Sequence, residues 1–291
     1  MSKAYSNAAA FRQGLEARLR NTAQERGVQI QGLRLKIAIE RLLARLFDDP
    51  DPPWILKGGY AMELRFRPKA RATKDVDLTV HDATARPSVL RERLSELHES
   101  LQAAAAKDLG DFFEFVIEPM RGELQAAPGG GGTFPVVTRM AGRDFARFHI
   151  DAAFGDEVVG EPEALIGDDL MGFAGIAPAR ALAIPKTQQF AEKIHAYTFP
   201  WTDRPNTRSR DLVDLLLLIE RGELDVDAVR HALLETFRRR ARQPLPDRLS
   251  PPPAHWEHEF PAMAREAGIS VLEVGGAFAA LSAYWDRLRP F

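Results

Sequence analysis

Apolar side chains recur at helical spacing over the first fifty residues. Phe11, Leu15 and Leu19 fall at i, i+4 and i+8, which predicts a one-sided helix over 8–27. Leu33, Ile37, Ile39, Leu42, Leu43 and Leu46 predict a second, ended by the turn-rich Asp48-Asp49-Pro50-Asp51-Pro52-Pro53. A short apolar run, Trp54-Ile55-Leu56, closes at Gly58-Gly59 and leads into a helical stretch from Tyr60 to Phe66. The pattern then changes period: Val76, Leu78 and Val80 alternate with Asp75, Asp77 and Thr79, as in a half-buried strand. Residues 86–107 return to helix, with Leu90, Leu94, Leu97 and Leu101.

Segments Phe112–Ile117, Phe134–Thr138 and Phe145–Phe154 read as strands. Between them, Pro128-Gly129-Gly130-Gly131-Gly132 reads as a flexible loop; it lacks the Lys-Ser/Thr of a phosphate-binding P-loop, and no helix opens after it. Beyond about residue 165 the strand pattern stops. Helices are expected at 185–199, 207–221, 225–240, 257–267 and 270–288, broken by the proline-rich 244–253, and no internal repeat is present. The order describes an α+β protein: N-terminal helices and an α/β domain with a mixed sheet over 1–170, then an all-helical domain over 171–291.

Composition narrows the chemistry. The 291 residues include no cysteine, which excludes a disulfide framework, a thiol nucleophile and cysteine-ligated metal. A net charge of −2 argues against a uniformly basic nucleic-acid coat but leaves room for a local basic patch. No apolar run approaches the ~20 residues that span a bilayer, so no membrane partner is expected. The first twenty residues lack the apolar core of a signal peptide, and Glu16 interrupts their transit-peptide-like character, which reads as a cytoplasmic protein.

The informative stretch is Lys57-Gly58-Gly59, then fifteen residues, then Asp75-Val76-Asp77. Side chains alternate along a strand, so Asp75 and Asp77 project together while Val76 and Leu78 face the core. Two parallel carboxylates repel unless a cation lies between them, and a pair of Mg²⁺ ions ~3.5–4 Å apart meets that need. Paired glycines let the backbone approach phosphates, with helix N–H groups behind. In Phe145–Phe154, Phe148 and Ile150 share one face and Arg147, His149 and Asp151 the other, so Asp151 can complete a three-carboxylate cluster. Each feature alone has a plainer reading, as a turn, an edge strand with a solvated face, or a surface aspartate.

Gly-Gly, Asp-x-Asp and a carboxylate on a later strand resemble the nucleotidyltransferase superfamily, with its DNA polymerase beta-like fold. More narrowly, Lys57-Gly58-Gly59-Tyr60-Ala61-Met62-Glu63-Leu64, Arg71-Ala72-Thr73-Lys74-Asp75-Val76-Asp77-Leu78 and Phe148-His149-Ile150-Asp151-Ala152-Ala153-Phe154-Gly155-Asp156 resemble the AbiEii/AbiGii toxin family. So do Glu192-Lys193-Ile194-His195-Ala196 and Arg210-Asp211-Leu212-Val213-Asp214-Leu215, in the family's order. The likeness is strongest to its mycobacterial members, extends to Lys3-Ala4-Tyr5-Ser6, and covers residues 1 to about 225. Tyr60 departs from it, standing where the family often has Ser or Thr.

The resemblance implies a metal-dependent toxin of a toxin–antitoxin pair that joins nucleotides from a nucleoside triphosphate to an RNA 3′ end, with tRNA as acceptor and a cognate antitoxin as partner. Asp75 and Asp77 are then metal ligands, Asp151 a third ligand or base, and Lys57 and Lys193 neutralise the triphosphate beside Gly58 and Gly59. It makes Asp211 an active-site residue; the plainer reading pairs Asp211 and Asp214 with the helix dipole or with Arg208 and Arg210. Lys186, seven residues before Lys193, faces the same way but reads as solvated. Thr73, two residues before Asp75, is placed by alternation on the carboxylate face, where a phosphate would block nucleotide binding as a regulatory device. The run Arg238-Arg239-Arg240-Ala241-Arg242 suits an RNA backbone or a solvated helix end equally. His255 and His258 lack partners for a zinc site and read as structural, and no Gly-x-Ser-x-Gly elbow suggests a hydrolase. Nucleotidylation of a small molecule such as an aminoglycoside, and nucleotide or RNA binding without turnover, are the rival readings.

Overall fold

The computed structural model describes residues 5–67, 73–81, 90–124, 127–202 and 205–291. Lys3, Ala4, Arg71 and Ala72 of the motifs above, and residues 86–89 of the expected helix, lie outside the described residues. In chain order the elements are α1 (Ala8–Arg26), α2 (Ile30–Leu46), β1 (Trp54–Lys57), α3 (Gly58–Phe66), β2 (Asp75–Val80), α4 (Leu90–Ala105), β3 (Glu114–Ile117), β4 (Gly122–Glu123), β5 (Gly131–Met140), β6 (Arg143–Phe154), β7 (Glu163–Ile166) and β8 (Arg180–Ala183). The helices α5 (Lys186–Tyr197), α6 (Ser209–Arg221), α7 (Val226–Arg240), α8 (Phe260–Ala267) and α9 (Val274–Leu288) follow. No helix among the described residues is long and apolar enough to cross a membrane.

The chain divides into two units. The first comprises Met1–Leu56, Ala72–Asp156 and Ala164–Ala183; the second comprises Lys57–Arg71, Glu157–Glu163 and Ile184–Phe291. The first is built on a mixed sheet of order β3-β5-β6-β2-β1-β8-β7, with β4 paired to β5. β2 and β6 run parallel, as do β1 and β8, whereas β5 is antiparallel to β3 and β6. Helix α1 starts where the Asn7 carboxamide oxygen accepts the Ala10 N–H at 2.9 Å, and it buries Phe11, Leu15 and Leu19 along the expected stripe. The indole N–H of Trp54 donates to the Leu46 carbonyl at 2.9 Å, which ties the start of β1 to the end of α2.

Two findings differ from the sequence pattern. β7 and β8 lie in the region where no strand was expected. Each has four residues, and β8 is held by parallel pairing of Ala183 with Leu56 on β1, so its strand state depends on a neighbour distant in sequence. The second concerns the glycine run: Gly131 and Gly132 belong to β5, opposite Ala153 and Ala152 of β6, rather than to a loop.

The core of the first unit also holds a charge cluster with no sequence signature. Asp111 is fully buried, with Arg41 Nε and Arg45 Nη2 each 2.6 Å from its carboxylate oxygens. Arg45 donates further to the Phe113 carbonyl at 3.0 Å, and its guanidinium lies over the Phe115 ring. Burial pushes the Asp111 carboxyl upward, but hydrogen bonds and charge from Arg45 and Arg41 outweigh that and hold it below the usual range.

The second unit is helix packed on helix. α6 is apolar on most faces and buries Leu212, Val213 and Leu215–Leu218 in a core with Phe190, Phe237, Trp256, Phe260, Leu281 and Trp285. Met62 of α3 belongs to the same core.

Asp111→Asn leaves two buried guanidiniums facing a neutral amide. We expect it to cost about 3–5 kcal/mol in denaturant unfolding, the range for breaking a buried ion pair. Because the native carboxyl sits below its unfolded value, its stabilisation is complete above about pH 4 and fades as pH falls through the native value. Unfolding between pH 5 and 2 should therefore lose less stability in the Asn variant than in the parent.

Candidate active site

The register of β2 against β6 builds the carboxylate set. Asp77 and Asp151 are Cα partners, and Asp75 is the partner of His149. Val76, Leu78, Phe148, Ile150 and Ala152 are buried, while Asp75, Asp77, His149 and Asp151 stay half-buried on the opposite face, as strand alternation requires. The three aspartates thus share one face of two adjacent strands in the first unit. His149 Nε2 lies 3.0 Å from an Asp75 oxygen, and the Thr133 hydroxyl donates to Asp151 Oδ1 at 2.6 Å.

Oxygen donors of this kind are what magnesium selects. Among the described residues, however, no three His, Asp or Glu side chains are already gathered around one point. The donor types and their common face fit a divalent ion.

Lys57 ends β1 and is half-buried, and Gly58–Gly59 open α3 in the second unit. Gly58 has φ 65°, a conformation costly to any residue with a Cβ, which explains why the strand-to-helix turn carries glycine there. Its carbonyl accepts from Gln189 Nε2 of α5 at 2.5 Å. The Gln189 oxygen accepts in turn from Arg65, which also donates to the Ile184 carbonyl and to Glu163, at 3.0 Å from Nε. Glu163 reaches the first backbone N–H of α5 as well, at 3.1 Å. Burial lowers the Arg65 guanidinium from its ordinary value, and the charge and hydrogen bond of Glu163 oppose that. The network fixes α3 and α5 about the glycine turn. Tyr60, the residue that departs from the family pattern, is fully buried.

Lys193 and Asp211 are brought together inside the second unit. Lys193 Nζ lies 3.1 Å from Asp211 Oδ1 and 2.6 Å from Asp214 Oδ2, and all three groups are buried. Arg208 completes the set by pairing with Asp211. Burial pushes the Asp211 carboxyl up, but the charges of Lys193 and Arg208 prevail and hold it below the usual range. Of the two sequence alternatives for Asp211, the pairing with Arg208 is present, and Asp211 also pairs with the motif lysine, Lys193.

The basic run on α7 is largely engaged by acids. Arg238 pairs with Glu235, Arg239 with Glu157 and Glu235, and Arg240 with Glu192. His255 bonds the Asn206 carbonyl at 3.0 Å. Thr73 precedes β2, with Lys74 in a bend between, so strand alternation does not reach back to it. Sequence reasoning passed over Thr133, Arg65, Gln189 and Glu163. For Thr133 a signal existed: it continues the alternation of Pro135 and Val137 past the expected start of the strand at Phe134.

Lys193→Met keeps side-chain length but leaves Asp214 buried opposite an apolar chain. We expect it to lower stability by about 3–5 kcal/mol, whereas Asp77→Asn on the half-exposed face stays within about 0.5 kcal/mol. Parallel thermal melts compare the two.

A family model for the nucleotidyl transferase AbiEii toxin of type IV toxin–antitoxin systems matches residues 41–288. No curated protein matches the sequence. Among solved structures, MenT4, a nucleotidyltransferase toxin from Mycobacterium tuberculosis H37Rv, is similar with a TM-score of 0.60 at 19% identity, over 94% of this chain and 89% of that one. At that identity the likeness speaks for the fold, and it agrees with the mixed sheet and helices described above. With the family model spanning most of its length, and the Gly-Gly, Asp-x-Asp and lysine motifs set in this fold, the chain belongs to the AbiEii family of nucleotidyltransferase toxins.

Proposed function

We propose that this toxin transfers nucleotides from a nucleoside triphosphate to the 3′ end of an RNA, the acceptor end of tRNA, which can then no longer be aminoacylated. The carrying observation is the in-register pairing that sets Asp77 beside Asp151, with Asp75 on the same face. In the reaction the RNA 3′-oxygen attacks the α-phosphorus, a new P–O bond forms, and the bond to pyrophosphate breaks. Asp75 and Asp77 bind two Mg²⁺ ions, with Asp151 as third ligand or as acceptor of the hydroxyl proton. The ions, when bound, supply charge neutralisation at the phosphate and the oxygens entering and leaving it.

Lys57 and the backbone of Gly58 and Gly59 bind the phosphates, and Lys193 is the second cation of the triphosphate site, its charge shared with Asp211 and Asp214. Asp211, paired with Lys193, acts by holding that ammonium in place. Membership of a toxin–antitoxin family supplies a cognate antitoxin as partner, and an RNA acceptor places the work in the cytoplasm. Thr73, two residues from Asp75 in the chain, is the hydroxyl at which phosphorylation would set negative charge beside the metal ligands. Intact-mass measurement after co-expression with the antitoxin tests that regulatory role, and a neutralised but unmodified toxin removes it.

Incubation with labelled nucleoside triphosphates, Mg²⁺ and total RNA should place label at RNA 3′ ends. Label in an added aminoglycoside, or in nothing, overturns the reading in favour of a small-molecule enzyme or a binding protein. Asp77→Asn should lower transfer by several orders of magnitude while its melting curve stays that of the parent. Lys57→Ala should raise the KM for the triphosphate about tenfold or more, from loss of a charge-assisted contact worth roughly 1.5–3 kcal/mol.

A further inference from the structure

The glycine-rich run and the start of β5 have no part in the mechanism above, yet they meet one of its carboxylates. Thr133 and Asp151 are direct partners across antiparallel β5 and β6. A Cβ on Gly131 would stand 2.6 Å from the Ala152 carbonyl oxygen, and one on Gly132 would stand 2.8 Å from the Met120 sulfur. At Gly131 only a residue without a side chain lets β5 run this close to the β6 backbone, and Thr133 lies two residues along. Its hydroxyl donates to Asp151 Oδ1 at 2.6 Å, in the range of a strong bond from a hydroxyl to a carboxylate.

We infer that Thr133 is a positioning residue for Asp151. This rests on the reading of Asp151 as a metal ligand. One carboxylate oxygen is occupied by the hydroxyl, so the carboxylate plane is set and the other oxygen is left for a cation. An unheld aspartate rotates about its terminal torsion, and each bound ion must then order it. Ligand carboxylates are commonly oriented by such outer bonds, whose removal costs about 10–100-fold in metal affinity or activity. Thr133 also suits its strand, because a β-branched residue packs well there whether or not its hydroxyl is used.

That last property makes the test clean. Thr133→Val keeps shape and strand propensity and deletes the donor; Thr133→Ser keeps the donor. Mn²⁺ is titrated into the full-length protein, with the free ion followed by electron paramagnetic resonance, beside kcat and KM for labelled nucleotide transfer. We expect Thr133→Val to weaken Mn²⁺ binding about tenfold and to lower kcat, with the triphosphate KM within about twofold, and Thr133→Ser to restore both. Parent-like Mn²⁺ affinity in Thr133→Val overturns the inference, as does a loss that Ser fails to rescue. A parent protein that binds no more Mn²⁺ than its Asp77→Asn variant overturns the metal reading beneath it instead, so the two failures are distinguishable.

Discussion

Parallel pairing of β2 with β6 is the constraint on which the rest of the first unit depends. Six consecutive Cα partnerships, from Asp75 with His149 to Val80 with Phe154, align two strands whose hydrophobic residues share one period. The buried face collects Val76, Leu78, Ile150 and Ala152. Because side chains alternate, the register that packs them also delivers Asp75, Asp77 and Asp151 to the opposite face. A slip of one residue on either strand would send its aspartates into the core, where an unpaired charge is far more costly than a lost apolar contact. Core packing and carboxylate placement are thus two consequences of one alignment.

Each unit also contains a buried ionic network, and the two solve the problem in opposite ways. In the first, one carboxylate, Asp111, serves two guanidiniums, whose planar forks reach both its oxygens and a backbone carbonyl. In the second, one ammonium, Lys193, serves two carboxylates, and Arg208 supplies the remaining positive charge. A point charge on a flexible stem suits that arrangement, because lysine can meet two acceptors three residues apart on α6. Burial alone would drive the carboxyls at Asp111 and Asp211 toward the neutral form, and in both the charge and hydrogen bonds of the basic partners outweigh it.

The Arg65–Gln189–Glu163 network joins segments far apart in the chain, and its parts have unremarkable sequence contexts. Gln189 bonds a glycine carbonyl rather than another side chain, so its partner carries no recognisable residue type. The same is true of Arg65 at the Ile184 carbonyl. Networks that end on the backbone leave little trace in a sequence, however tightly they fix a turn.

Local order was legible in the sequence wherever periodicity was strong. The stripe Phe11–Leu15–Leu19, the alternation through Asp75–Val80 and Phe145–Phe154, and the C-terminal helices all follow from the spacing of apolar residues, which the short-range geometry of the backbone converts directly into a face. The shared face of Asp75 and Asp77 followed from that same rule, whereas the pairing of β2 with β6 brought Asp151 to it. Tertiary structure decided what depends on neighbours remote in the chain: that β8 pairs with β1, that Gly131 and Gly132 are strand rather than loop, and that Asp211 and Asp214 meet Lys193. Asp111 between its arginines belongs with these. A four-residue strand or a buried carboxylate is stable only once its partner is in place, so no local pattern announces it, whereas a periodic segment carries its own instruction.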